Sequence, residues 1–80
     1  MSRARDVVEV VARALAVQPE QVEVTETERR GQTVVELSMA YGELGRVIGR
    51  QGRTATSLRA LAAAAGELDG TRAVLDFRDE

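Results

Sequence analysis

The sequence predicts an α+β domain of two layers, a three-stranded sheet with its helices packed on one face. Three observations predict it. Two stretches, residues 3–16 and 53–65, place apolar side chains at spacings of three and four, the period of a helix with one buried face. Three others, around residues 22–25, 33–40 and 72–77, alternate apolar and polar residues or are rich in β-formers, the period of a half-buried strand. The resulting order, α-β-β-α-α-β, gives one small sheet that cannot leave both faces wet, and covering one face with the helices is the simplest packing.

Ser2 is suited to cap the first helix. Val7, Val8, Val11, Ala14 and Leu15 form its apolar stripe, and Pro19 ends it and opens the next element. Val22 and Val24 alternate with Glu23 and Thr25 as a first strand. Residues 28–31 are a polar connection to a second strand over 33–40, with Val35, Leu37 and Met39 on one face and Val34, Glu36 and Ser38 on the other. So short a connection implies an antiparallel hairpin. Residues 43–48 suit a short helix and residues 49–52 a turn. The helix over 53–65 buries Ala55, Leu58, Leu61, Ala62 and Ala65, with Gly66 as its C-cap. Residues 68–70 turn the chain into the third strand, and residues 78–80 are expected to fray.

Composition excludes much chemistry. The 80 residues contain no histidine, cysteine, tryptophan or lysine. A zinc or haem site of Cys/His type, a His- or Cys-based nucleophile and a lysine Schiff base are therefore ruled out. Carboxylate pairs such as Glu23 and Glu36 remain for acid–base work, but they fall on solvated strand positions with no pocket suggested. The expectation is a protein without catalysis, metal or cofactor. No apolar run is long enough to span a membrane, and residues 1–20 carry no apolar signal core, so a cytoplasmic protein without membrane contact is expected.

Charge is unevenly placed. Eleven basic and thirteen acidic residues leave the chain at −2. Residues 44–66 hold four arginines (Arg46, Arg50, Arg53, Arg59) and no acid, whereas residues 1–43 and 67–80 are each net acidic. A basic stretch on an acidic body steers a polyanion to one face. It also suits a solvated helix face whose arginines pair with acids elsewhere.

The informative segment lies within this stretch. Gly49-Arg50-Gln51-Gly52 follows the apolar pair Val47-Ile48 and precedes Arg53 and Thr54. Glycine lets a polyanion approach the main chain, a helix start directs N–H groups at it, and arginines add charge-assisted hydrogen bonds. Gln51 can donate to phosphate or sugar. Val47 and Ile48, with a strand edge bearing Leu37 or Met39, offer an apolar groove for bases. Local physics supports a phosphate clamp and a plain interhelical turn equally. A second GxxG, Gly42-Glu43-Leu44-Gly45, holds an acid and is a poor phosphate cradle.

The phrase Val47-Ile48-Gly49-Arg50-Gln51-Gly52 resembles the signature of the KH domain, an apolar pair followed by GxxG between two helices. From the first helix to Phe77 the chain resembles the small bacterial single-KH proteins of the KhpA (YlqC-like) family. Its strand over 34–40, Glu43-Leu44-Gly45 lead-in, core over 46–53 and alanine-rich helix over 54–65 follow that family's pattern. The resemblance implies a type II-like KH domain over 1–80, with a minimal core at about 32–78 and an added helix and strand over 3–27. It implies single-stranded RNA binding without catalysis, with Arg46, Val47, Ile48, Gly49, Arg50, Gln51, Gly52, Arg53 and Thr54 as the binding residues. It further implies a homodimer, or a heteromer with a second KH protein of the Jag (KhpB) type, and links to RNA chaperoning and cell shape. Thr54 stands where many KH domains carry isoleucine, and arginine replaces lysine throughout.

The scarcity of aromatics separates RNA-binding folds. RRM and OB-fold surfaces stack bases on exposed rings, and here only Tyr41 and Phe77 exist. Phe77 is expected in the core and Tyr41 packed in its loop, although Tyr41 can also stack a base. An alternative to RNA binding is a protein-interaction subunit, with Gly42, Gly45 and Gly49 allowing close backbone approach.

Overall fold

A computed structural model describes residues 2–78. Its elements are α1 (Arg3–Leu15), a 3-10 turn (Pro19–Gln21), β1 (Glu23–Arg29), β2 (Gln32–Ser38), α2 (Leu44–Ile48), a 3-10 turn (Arg50–Gly52), α3 (Arg53–Leu68) and β3 (Arg72–Phe77). The expected order α-β-β-α-α-β is the observed one. β2 is the central strand: it pairs antiparallel with β1 and parallel with β3. The parallel pairing follows from the connection, because α2 and α3 carry the chain back over the sheet before β3 begins.

Ser2 caps α1 as expected. Its Oγ accepts from the Arg5 N–H at 3.1 Å and donates to Glu26 Oε1 at 2.8 Å, tying the helix start to β1. The buried stripe of α1 differs from the expected one. Ala4, Val8 and Ala12 are fully buried, Val7 and Val11 flank them, and Ala14 and Leu15 face outward. Likewise α3 buries Ala55, Leu58, Ala62 and Ala65 but leaves Leu61 half exposed. The reason is size: two helices stacked on so small a sheet come close, and alanine fits the contact where a larger side chain would hold them apart.

The hairpin is tighter than the sequence suggested. β1 runs through Glu28 and Arg29, and only Arg30 and Gly31 make the turn, at φ +51° and +79°. Both residues lie in the left-handed region that a two-residue hairpin demands. Thr33 Oγ1 donates to Glu28 Oε2 at 2.8 Å across the pair. On β2, Val35 and Leu37 enter the core beside Met39, while Val34 is shielded on the opposite face by its register neighbours Thr27 and Val74.

α3 continues past residue 65 to Leu68, and Gly66 lies inside the helix, not at its cap. A Cβ at Gly66 would stand 2.7 Å from Ala73 Cβ and 3.3 Å from Thr71 O. Glycine there sets the close approach of α3 to β3. Asp69, just beyond the helix, accepts from the Arg3 N–H at 2.8 Å and pairs with its guanidinium at 3.0 Å, joining the end of α3 to the start of α1. Arg78 is held, not frayed: its N–H donates to Leu37 O at 2.8 Å. The expected fraying of residues 79 and 80 lies outside the described residues.

Two stability outcomes follow. Gly66→Val drives a branched side chain into Ala73 and is expected to cost about 2 kcal/mol or more, read as a lower urea midpoint at unchanged slope. On α1, hydrogen bonds from Arg5 and Arg13 hold the Glu9 carboxyl below its ordinary range. A depressed carboxylate contributes stability above its unfolded pKa and loses it as pH falls through the folded value. Glu9→Gln is therefore expected to flatten the loss of melting temperature between about pH 5 and pH 3, measured beside the parent chain.

Candidate nucleic-acid interface

The site is built on the junction of α2 and α3. The start of α2 is fixed from below by Glu43. Its carboxylate, only 6% exposed, accepts from the Val17 N–H at 2.6 Å and the Gln18 N–H at 3.1 Å. The acid that makes Gly42-Glu43-Leu44-Gly45 a poor phosphate cradle thus points inward and fastens the chain after α1. Val47 anchors the short helix in the core.

Gly49 then breaks the helix at φ +77°, ψ 176°, a region essentially reserved for glycine. Its N–H still donates to Gly45 O at 2.9 Å and closes α2. A Cβ here would collide with the Thr54 side chain, 2.8 Å from its Cβ. Thr54 therefore packs beneath the loop and supports it. Gln51 at φ +57° and Gly52 at φ +73° complete the reversal, with the Gly52 N–H on Gly49 O at 3.2 Å. A Cβ on Gly52 would meet nothing within 4 Å: this glycine faces open space.

α3 starts at Arg53 with no side-chain cap on its N-terminus. Sixteen residues of helix direct their dipole at the loop, with the Arg53 N–H already donated to Arg50 O. Arg50, Gln51 and Arg53 are exposed around it, and among the described residues neither Arg50 nor Arg53 pairs with a carboxylate. Arg46, also exposed, keeps a long 3.7 Å contact to Glu43. Uncommitted cations, an uncapped helix start and an open glycine make a surface suited to an anion.

Of the expected site residues, Arg46, Ile48, Arg50, Gln51 and Arg53 are exposed, Gly49 and Gly52 are half-buried, and Thr54 stands against Gly49. Val47 is fully buried. The expected groove of Val47 and Ile48 against Leu37 or Met39 does not form, because Val47, Leu37 and Met39 all lie in the core and only Ile48 reaches solvent. The strand face bearing Leu37 and Met39 is the one the helices cover. Tyr41 is 90% exposed instead of packed in its loop. Gly45 has open space above it, whereas Gly49 is closed by Thr54, so the glycines expected to admit a close protein contact do not act together.

Sequence reasoning did not find two features. Glu43 gives no local sign of burial. Arg59, counted with the basic stretch, turns away from the loop: its Nε donates to Leu75 O at 3.3 Å and its guanidinium lies 5.0 Å from the centre of the Phe77 ring. Among the described residues no cluster of acidic side chains could hold a metal ion, and no helix is long and apolar enough to cross a membrane.

The model of the KhpA/KhpB KH domain matches residues 5–77. This chain belongs to the KhpA/KhpB KH-domain family. Among its curated relatives, the RNA-binding protein KhpA of Aquifex aeolicus is 43% identical over 96% of this chain and 98% of its own length. The RNA-binding protein KhpA of Halalkalibacterium halodurans is 39% identical over 94% and 99%. Among solved structures, Aquifex aeolicus Era superposes with a TM-score of 0.63 at 21% identity, over 92% of this chain and 29% of Era, a likeness of fold alone. The α+β architecture, its element order and the KhpA/KhpB family are thus common ground between sequence and structure.

The two loop glycines are expected to differ when each is replaced by alanine. Gly49→Ala meets both the unfavourable φ/ψ region and Thr54 and should cost about 2–3 kcal/mol. Gly52→Ala meets only the left-handed backbone and should cost about 1 kcal/mol. Urea denaturation of both variants checks the ranking.

Proposed function

We propose that this chain binds single-stranded RNA without catalysis, gripping the sugar–phosphate backbone at Gly49, Arg50, Gln51 and Gly52. The observation that carries this reading is the open loop itself. It places Arg50 and Arg53, which pair with no carboxylate among the described residues, at the N-terminus of α3, which has no side-chain cap, with open space over Gly52. The relatives named RNA-binding protein KhpA support it, as does the known use of the KH loop to clamp about four nucleotides of backbone. Arg46, Arg50 and Arg53 supply the charge, Gln51 a neutral donor, Ile48 the one exposed apolar contact, and Gly49 with Thr54 the shape. Val47 contributes by anchoring α2. On this reading the KH core spans about 32–78, with the helix and strand over 3–27 as its supporting layer.

The test is fluorescence anisotropy with a labelled, randomised single-stranded RNA pool. With three arginine contacts, log K should fall by about two per tenfold rise in salt. The double variant Arg50→Asp/Gln51→Asp, shown to be folded by circular dichroism, should lose binding at least tenfold. Equal binding by parent and variant would remove the loop from the site.

A second reading, assembly with another copy or with a KH protein of the Jag (KhpB) type, has its own observation. Leu61 and Leu68 are exposed beside Val7, Ala64 and Ala65 in an apolar trough between α1 and α3. This surface lies on the helical layer away from the sheet, so assembly and RNA binding are compatible. Leu61→Glu/Leu68→Glu is expected to shift the mass measured by light scattering toward that of the monomer, while binding RNA through the intact loop. An unchanged mass above that of one chain would place assembly elsewhere.

A further inference from the structure

The hairpin end of the sheet carries a second group of arginines, separate from those at the loop. Arg29 and Gln32 face each other across the β1–β2 turn, and Gln32 faces Arg72 at the start of β3. Residues directly opposite in adjacent strands point to the same side of a sheet, so Arg29, Gln32 and Arg72 form one row. Two residues along, the same side bears Thr27, Val34 and Val74, while the core residues Val35, Ala73 and Leu75 point to the other side. The arginine row therefore lies on the face that the helices leave uncovered. With neighbouring strands about 4.8 Å apart, a chain laid across them meets a cation, an amide donor and a second cation within about 10 Å.

Arg30 adds a third charge at the tip of the turn. Its φ of +51° is one that glycine or asparagine adopts at less cost, so local backbone preference does not account for an arginine there. Arg29, Arg30 and Arg72 are all exposed, and among the described residues none of them pairs with a carboxylate. The nearby acids are turned or spaced away. Glu28 accepts from the buried Thr33 Oγ1, on the helix side of the sheet. Glu36 and Asp76 share the uncovered face but stand four residues further along their strands. That is about 13 Å, beyond the screening length of about 8 Å at physiological salt. Glu67 lines one shallow pocket with Arg72 and forms no ion pair with it.

This group stands well away from the loop over 49–52. The Thr71 N–H donates to Gly66 O at 2.9 Å, which sets the start of β3 beside Gly66. Gly66 lies thirteen positions beyond Arg53 on α3, a rise of about 20 Å. We infer that Arg29, Arg30, Gln32 and Arg72 form a second phosphate-binding surface, which holds the backbone of the same single-stranded RNA beyond the nucleotides clamped at the loop. This rests on the RNA-binding reading above. The surface offers guanidinium forks to phosphate oxygens and has no aromatic ring among its residues, so it adds affinity without sequence preference. At a stacked rise of about 3.4 Å per nucleotide, about six nucleotides bridge the gap from the about four that the loop clamps. Strands of about ten nucleotides or more reach both surfaces, and shorter ones reach only the loop.

The test titrates the whole chain against labelled random-sequence RNAs of five and fifteen nucleotides, by fluorescence anisotropy at several salt concentrations. With three arginine contacts at the loop and three more at the hairpin end, log K for the parent should fall by about two per tenfold rise in salt for the short strand and about four for the long one. In the triple variant Arg29→Gln/Arg30→Gln/Arg72→Gln, the long strand should bind at least tenfold more weakly and its slope should return to about two. The short strand should bind the variant as it binds the parent. Each strand is compared with itself, so the greater number of registers on the long strand cancels. Equal slopes for the two strands on the parent overturn the inference while leaving RNA binding intact. So does a folded variant that binds both strands as the parent does, which would leave these arginines as charges that keep the sheet edges from pairing. Equal weakening of both strands also overturns it, as the mark of a general field. No binding of either RNA at low salt overturns the RNA-binding reading and this inference together. Should the variant fail to fold, the parent slopes decide; should the short strand bind too weakly to titrate, the slope of the long strand, about four or about two, decides.

Discussion

The approach of α3 to β3, made possible by Gly66 against Ala73, is the constraint on which the rest of this small structure depends. It brings the longest helix down onto the sheet along its length. That contact fixes where the N-terminus of α3 emerges, and so where the loop over 49–52 presents its arginines. It also lets Arg59 reach the edge of β3. With a larger residue at 66 the helix would stand off, and both the loop and the strand edge would lose their common frame.

A core of small side chains suits this arrangement. Ala4, Ala12, Ala62 and Ala65 line the contact between α1 and α3, and Val8, Val35, Leu37 and Leu58 supply the bulk. A chain of this length buries only about 60–65% of its unfolded surface, so specific polar ties matter beside the core. Glu43 on the Val17 and Gln18 amides, Asp69 on Arg3, and Ser2 on Glu26 each join segments far apart in sequence. Two of these ties hold the start of α1, and the third joins the chain after α1 to the start of α2, immediately before the site. The loop over 49–52 is thus mounted on a tied scaffold, while among the described residues Arg50 and Arg53 pair with no carboxylate.

The distribution of charge has a structural counterpart. Several acidic residues are engaged: Glu9 with Arg5 and Arg13, Glu36 with Arg78 and, just beyond α3, Asp69 with Arg3. Among the described residues the arginines next to Gly49 and Gly52 pair with no carboxylate, and neither do Arg29, Arg30 and Arg72. A basic loop on an acidic body favours the approach of a polyanion.

The sequence alone determined what depends on neighbours along the chain. Alternation in residues 33–40, the Ser2 cap, the glycines at 49 and 52 and the arginines around them all act over one or two turns, so their roles could be read in order. The element order and the KH resemblance followed from the same local signals. Only the tertiary structure decided which side of each element faced inward. Val47, Leu37 and Met39 have the chemistry of a base-binding groove, yet they face the core, because burial is set by partners distant in sequence. Glu43 and Gly66 look like loop and cap residues until Val17 and Ala73 arrive beside them. Arg59 belongs to the basic stretch by position and to the edge of β3 by contact, since a flexible side chain is claimed by the carbonyl and ring that folding places within its reach.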